Sequence, residues 1–192
     1  MENRTDQILN FLKEIEKYKT IKRRHFLSDG NKESDAEHSW HMAMFLVLLE
    51  KELPKDLDMK KMLKLALIHD LAEIYSGDPF AFDTEGKKDK KEKEGEAARK
   101  LFSQLPEDLN KELMDLFNEY EKRETKEAQT VNSIDKVQAI LQNIICNGKT
   151  WQVEKVNYEM VDNYKRKDML HNNFLLEIYE KLMKEAKDKK MF

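Results

Sequence analysis

The chain has 192 residues, of which 38% are charged, with a formal net charge of -3, 5 Gly, 3 Pro and one cysteine. That length suits one domain around one sizeable core, and the near-neutral charge gives no general attraction to nucleic acid polymers or anionic lipid. The lone Cys146 excludes an internal disulfide, and no run approaches the roughly 18 apolar residues needed to span a bilayer. Scarce Gly and Pro beside 10 Met favour long helices joined by short turns, so the expected fold is all-α, a compact single-domain helical protein. The stretch Met1-Glu2-Asn3-Arg4-Thr5-Asp6 has no signal-peptide pattern, which makes a cytoplasmic location the expectation.

In chain order, Ile8, Leu9, Leu12, Ile15 and Ile21 mark an amphipathic helix over about residues 5 to 19. A polar connection follows from Lys22 to Lys32, with Asp29-Gly30 as its turn, and no convincing strand is read there or elsewhere. Ser34 and Glu37 form a capping box for a second helix through Met42, Phe45, Leu46 and Leu49 to about Leu53, before Pro54. His38 then falls in its first turn. Asp58 caps a third helix carrying Leu63, Ala66, Leu67, His69, Asp70, Glu73 and Ile74 until Gly77 stops it. From Phe80 to about Gly95 charges of both signs alternate, the pattern of a solvated helix start or mobile surface segment. Helices resume around Ala97 to Leu105, Glu107 to Tyr120, Lys126 to Cys146, Glu154 to Tyr164 and Asn173 to Lys187. Without a repeat or linker, residues 1–192 read as one domain, with a motif-bearing core over about 5–150 and C-terminal helices over about 151–192.

The dipeptide His69-Asp70 interrupts the apolar run Leu65-Ala66-Leu67-Ile68 and Leu71-Ala72, where helical side chains face a core and a carboxylate is expensive unless paired. A bound cation is the natural partner. Asp135 lies on or beside the stripe Val131, Ile134, Gln138, Leu141 and Ile145, and so points inward as well. A histidine (His38), then His69-Asp70, then a distant Asp135, each on its own helix, is the order of ligands in the HD-domain metal-dependent phosphohydrolases, which this sequence resembles. The wider text Ala36-Glu37-His38-Ser39, Ile68-His69-Asp70-Leu71-Ala72-Glu73, Ser76-Gly77-Asp78 and Ile134-Asp135-Lys136 is similar to the single-domain branch related to bacterial 5'-deoxynucleotidases, over roughly residues 5 to 150.

Two imidazoles and two carboxylates suit one divalent transition metal, Mn²⁺, Co²⁺, Fe²⁺, Ni²⁺ or Zn²⁺, and leave positions open for water and a phosphate oxygen. Glu73 shares the face of His69 and Asp70 one turn on. By position alone it is equally well a solvent-exposed helix-end residue, and the resemblance implies a general acid/base carboxylate. Asp78 reads locally as a turn residue and by resemblance as a second active-site carboxylate. Arg23 reads as part of a surface basic cluster, or by resemblance as the phosphate-contacting arginine, its planar fork suited to two parallel hydrogen bonds. At Arg24 the sequence departs from the family, which carries a tryptophan near the sugar; a flexible guanidinium there is read as a substrate-binding group able to hydrogen-bond a hydroxyl or a second phosphate, so deoxyribose selectivity is expected to be loose. His41 and His25 are read as wall or core histidines, His171 lies outside the matched region, and Trp40, Trp151, Phe45 and Phe117 are read as packing groups.

The resemblance implies hydrolysis of (deoxy)nucleoside 5'-monophosphates by a small-molecule phosphohydrolase. A phosphodiesterase or nucleotide-alarmone hydrolase on the same scaffold, and a non-catalytic metal-stabilised nucleotide-binding bundle, are the alternatives, and Glu73 and Arg23 discriminate against the last. A helical surface bearing Met and Phe side chains permits a homodimer.

Overall fold

The computed structural model describes residues 2–78 and 90–192, so the part of the charged stretch from Phe80 to Asp89 lies outside the described residues. Helix α1 (Arg4–Glu14), capped by Asn3, tightens into a 3-10 turn over Ile15–Lys19. After a hairpin come α2 (Asp35–Leu49), α3 (Met59–Ile68), the single turn α4 (Glu73–Ser76), α5 (Lys90–Phe102), α6 (Glu107–Lys122), α7 (Lys126–Ile145), α8 (Lys149–Val153), α9 (Tyr158–Lys165) and α10 (Asn173–Asp188). The all-α expectation holds, and among the described residues no helix is long and apolar enough to cross a membrane.

The connection read as strandless is a correction. Strands β1 (Lys22–Phe26) and β2 (Lys32–Ser34) pair antiparallel around the expected turn, closed by Leu27 N–H to Asn31 O at 2.8 Å and by Gly30 at φ 89°. The alternation was disguised because the inward face of β1 carries Arg23 and His25 rather than apolar side chains. The capping box was placed correctly: Ser34 accepts from Glu37 N–H, and the Glu37 carboxylate takes the Ser34 N–H at 2.6 Å. Helix α2 stops at Leu49 rather than near Leu53, the helix expected from Glu154 begins at Tyr158 as α9, and the short α8 before it was not expected.

A second correction concerns the helix that carries His69 and Asp70. It does not run on to Gly77. His69 N–H still reaches back four residues to Leu65 O at 3.0 Å, but Leu71 bonds Ile68 O at 3.1 Å, Glu73 bonds Asp70 O at 2.9 Å and Ile74 bonds Leu71 O at 3.2 Å. Through this passage the backbone makes three-residue turns, so residues three apart eclipse one another and Asp70 and Glu73 share one edge.

Helix α7 is the axis of the molecule. The expected single stripe is broader in fact, since Val131, Ile134, Val137 and Ile140 are buried together with Asn132, Ser133, Gln138 and Asn143 around the helix, while Ile145 is exposed. Helices α2, α3, α6 and α10 and strand β1 pack around it. Trp151 stacks on Phe192 with ring centroids 4.4 Å apart and Phe117 is buried, as expected of packing groups, but Trp40 is 63% exposed and packs no core. Cys146 is half-buried, its thiol donating to Phe26 O at 2.9 Å.

The chain end is anchored where α7 stops. Gly148 has φ 72° and donates to Asn143 O at 2.8 Å, and a Cβ there would collide with the backbone carbonyl of Met191. Gly148→Ala should therefore cost about 1–3 kcal/mol through left-handed strain and steric conflict, read as a lowered midpoint in urea unfolding.

Candidate functional site

His38, His69 and Asp135 come together from three elements. His38 stands in the first turn of α2, His69 caps the end of α3, and Asp135 faces them from the middle of α7, with one donor atom of each within 4.8 Å of the others. His38 Nε2 lies 3.3 Å from Asp135 Oδ1, and the two imidazole rings are 5.5 Å apart. All three residues are buried.

Each imidazole has its outer nitrogen occupied. His69 Nδ1 sits 3.0 Å from the carbonyl of Ala66, which can only accept, so Nδ1 carries the proton. His38 Nδ1 sits 2.7 Å from Gln138 Oε1. The Gln138 amide nitrogen donates to Glu33 Oε1 at 2.8 Å and to His41 Nδ1 at 3.2 Å, which fixes its oxygen toward His38. Both inner Nε2 atoms are buried without a hydrogen-bond partner, and each offers a lone pair whenever its ring is neutral. Two orphaned imidazole nitrogens converging on a buried carboxylate form a donor set that fits a divalent transition metal. Burial holds His38 down to about 4, which keeps its ring neutral and able to ligate at ordinary pH.

Asp70 lies at the edge of this group. It sits in the turn after His69, not on a helix face, with Oδ2 3.0 Å from His69 Nε2 and 3.0 Å from Arg23 Nη1. Burial opposes its ionisation, yet His69 and Arg23 hold the carboxyl well below the usual carboxylate range. The same oxygen is thus within reach of an ion held by His69.

Arg23 is not in a surface cluster. Its side chain is 11% exposed, and beyond Asp70 it faces Asp35 Oδ1 at 3.5 Å and Glu33 Oε2 at 3.6 Å. Arg24 goes the other way: strand alternation turns it outward, 56% exposed, with Nη1 3.7 Å from Glu154. It does not join the cluster around Asp70, so the tryptophan position has no counterpart on that side.

Glu73 is buried, which removes the reading of a solvated helix-end residue. It forms a second group with Asp35 and Asp78, one carboxylate oxygen of each within 4.8 Å of the others. Gly77, at φ 75°, turns the chain after Glu73 and so returns Asp78 to this group. Burial first, then Asp70, Asp78 and Asp35, push the Glu73 carboxyl up to about 12, and burial with Asp70 pushes Asp35 to about 7. Glu73 Oε2 and both Asp35 oxygens lack hydrogen-bond partners. Three carboxylates so placed share protons or hold a cation, and either relieves their repulsion.

Sequence reasoning missed Glu33, Asp35, Lys136 and Gln138. Gln138 could have been found, because it stands three residues after Asp135 on the same helical face. Lys136 Nζ grips Asp135 Oδ2 at 2.7 Å, a contact between sequence neighbours that helical periodicity does not foretell.

An HD-domain family profile matches residues 15–176, beyond the limit near 150 that the motifs suggested. Over 141 residues, 70% of this chain, the sequence is 37% identical to the Dictyostelium discoideum protein named 5'-deoxynucleotidase HDDC2, covering 74% of it. The human protein of that name is 36% identical over 138 residues, 66% of its length. The crystal structure of a predicted metal-dependent phosphohydrolase from Magnetospirillum magnetotacticum matches with a TM-score of 0.91 at 35% identity, covering 98% of this chain and 95% of that one.

Gln138→Leu should remove the acceptor that orients His38 while leaving all four candidate ligands in place. Metal affinity is expected to fall about 10- to 100-fold, read by competition with a chromogenic chelator.

Proposed function

The chain belongs to the HD-domain family, and on that premise we propose that it is a metal-dependent phosphohydrolase releasing phosphate from nucleoside 5'-monophosphates, deoxyribonucleotides among them. The observation that carries this reading is the convergence of two orphaned Nε2 atoms and Asp135 beside the buried carboxyl of Glu73 and the buried guanidinium of Arg23. Curated relatives named 5'-deoxynucleotidase support the substrate class.

In this reading His38, His69, Asp70 and Asp135 hold one ion of the Mn, Co, Fe, Ni or Zn kind. When bound, such an ion supplies Lewis acidity toward a phosphoryl oxygen and makes nearby water more acidic. Glu73 exchanges protons with the attacking water and the departing sugar oxygen. Its protonated state before a cation arrives suits the donating half of that task, and its orphaned Oε2 is free to make the contact. Asp78 stands beside it in the same carboxylate group and keeps its charge environment negative. Arg23 directs its guanidinium to the edge of the site, where a phosphoryl oxygen can compete with Asp70 for Nη1. A site that only tied helices together would have no use for Glu73 or Arg23.

The sugar side carries no indole. With Arg24 turned outward, nothing from that position crowds a 2'-hydroxyl, so ribose and deoxyribose substrates are treated alike. Values of kcat/KM for matched ribo- and deoxyribonucleoside monophosphates should differ by less than about tenfold, and a strongly deoxy-selective enzyme would contradict this.

Chelation should abolish phosphate release and Mn²⁺ or Co²⁺ restore it. Glu73→Gln should then lower kcat about 100-fold or more without loss of the visible Co²⁺ absorption of the His38–His69–Asp135 centre. Arg23→Ala should raise KM at least as much as it lowers kcat. Full turnover by metal-free protein, or wild-type kcat in Glu73→Gln, would overturn the assignment.

A further inference from the structure

Lys165, the last residue of α9, is 6% exposed although it carries an ammonium group. Its Nζ makes one hydrogen bond, to the backbone carbonyl of Lys136 at 3.2 Å. Among the described residues no carboxylate oxygen lies within 4.0 Å of it. A buried cation in this condition is costly, because it has left water without gaining a counter-charge. The other two buried cations nearby are not in that position. Arg23 is held by Asp70, Asp35 and Glu33, and Lys136 is held by Asp135.

The ammonium lies against the helix that carries Asp135. Its hydrogen-bond acceptor is the residue next to Asp135, and the charges of Asp135 and Arg23 both act on it. His25, which shares the inward face of β1 with Arg23, feels the charge of Lys165 in turn. Burial, then Lys136, draws the Lys165 ammonium down to about 7.

We propose that Lys165 is a phosphate-binding residue of this site, whose two unused N–H donors take an oxygen of the substrate's phosphoryl group as it enters beside Asp135. The proposal rests on the phosphomonoester reading above and adds a second cation for the phosphoryl group beside Arg23. The dianion of a monoester must enter a site crowded with carboxylates, and Arg23 and Lys136 meet it already engaged by Asp70 and Asp135. Lys165 is the donor whose charge is not yet answered, and an ammonium serves a phosphate as a point charge without needing a fixed fork.

The probe is inorganic phosphate, titrated calorimetrically into Mn²⁺-loaded wild type, K165M and K165R, with urea unfolding of each. K165M should lose about tenfold or more in phosphate affinity, the scale of a hydrogen bond to a charged group, with metal content unchanged. Its folding stability should equal or exceed the wild type's, since an unpaired buried charge has been replaced by an apolar chain of similar length, and K165R should recover part of the phosphate affinity. Equal phosphate affinity in K165M and wild type overturns the proposal. So does wild type that binds no phosphate, or a loss of affinity that tracks a loss of stability, which would make Lys165 a structural residue. A KM increase confined to one nucleobase, with phosphate affinity unchanged, would hand the ammonium to the base and likewise overturn it. If wild type hydrolysed no monophosphate while its phosphate affinity still depended on Lys165, the catalytic reading would fail and this one would stand.

Discussion

The 3.3 Å approach of His38 Nε2 to Asp135 Oδ1 sets a neutral imidazole from the first turn of α2 and a carboxylate from the middle of α7 lone pair to lone pair, and the polar groups packed on α7 are arranged around what that juxtaposition requires. A carboxylate in the most enclosed helix of a helical core must be answered by other polar groups, and these must be brought by neighbouring elements. Each neighbour does so in one register. Gln138 holds His38 of α2 at 2.7 Å, and Gln142 holds Phe26 O at the end of β1 at 2.7 Å. Ser133 donates to Asp168 O at 2.6 Å in the 3-10 turn after α9, and the Lys136 carbonyl takes the Lys165 ammonium. Helix α7 is thus bound to its surroundings by satisfied polar atoms as much as by Ile134, Val137 and Ile140, and such networks favour a single packing over sliding alternatives.

Charge balance is the next consequence. Glu33, Asp35, Asp70, Glu73, Asp78 and Asp135 gather around Arg23, Lys136 and Lys165, while His38 stays neutral. Acidic groups outnumber fixed cations, and the raised carboxyls of Glu73 and Asp35 are the local response: protons fill the deficit. Such a site repels a phosphate dianion until positive charge is added. A divalent ion on the imidazole side reverses the field at the point where an anion must arrive, so cation and anion binding are favourably coupled.

Much of the site was legible because its residues break rules that the sequence itself displays. His69-Asp70 interrupts an apolar run, and Asp135 falls within a helical stripe of Val131 and Ile134, so both declare themselves as buried polar groups. Ser34 and Glu37 announce the start of α2 through local capping chemistry, which needs no tertiary information. The groups that were not legible owe their roles to distance in sequence. Asp35 looks like an ordinary first-turn acid and Glu33 like a surface residue before a cap, and only the packing of α2 against Arg23 makes them part of the cluster. Lys165 reads as an ordinary basic residue at a helix end, and only the tertiary fold buries it and sets its ammonium on the Lys136 carbonyl of α7. The hairpin escaped because strand recognition relies on apolar alternation, and β1 alternates toward a charged site instead.

The break in the helix at His69 is where local preference and function part company. Nothing in Leu65-Ala66-Leu67-Ile68-His69-Asp70-Leu71-Ala72 terminates a helix, since no Gly, Pro or β-branched run is present there. A continuous α-helix would set Asp70 and Glu73 about 60° apart around its axis and keep His69 in register with Glu73 instead. The three-residue turns from Ile68 to Tyr75 align Asp70 with Glu73 and free His69 to end α3 with its ring aimed at Asp135. Glu73 then opens a new turn of helix within reach of Asp35 and Asp78, while Asp70 stays between His69 and Arg23. Departure from regular α geometry gives His69 one direction and the shared edge of Asp70 and Glu73 another, where local sequence preference alone would have kept all three on one rod.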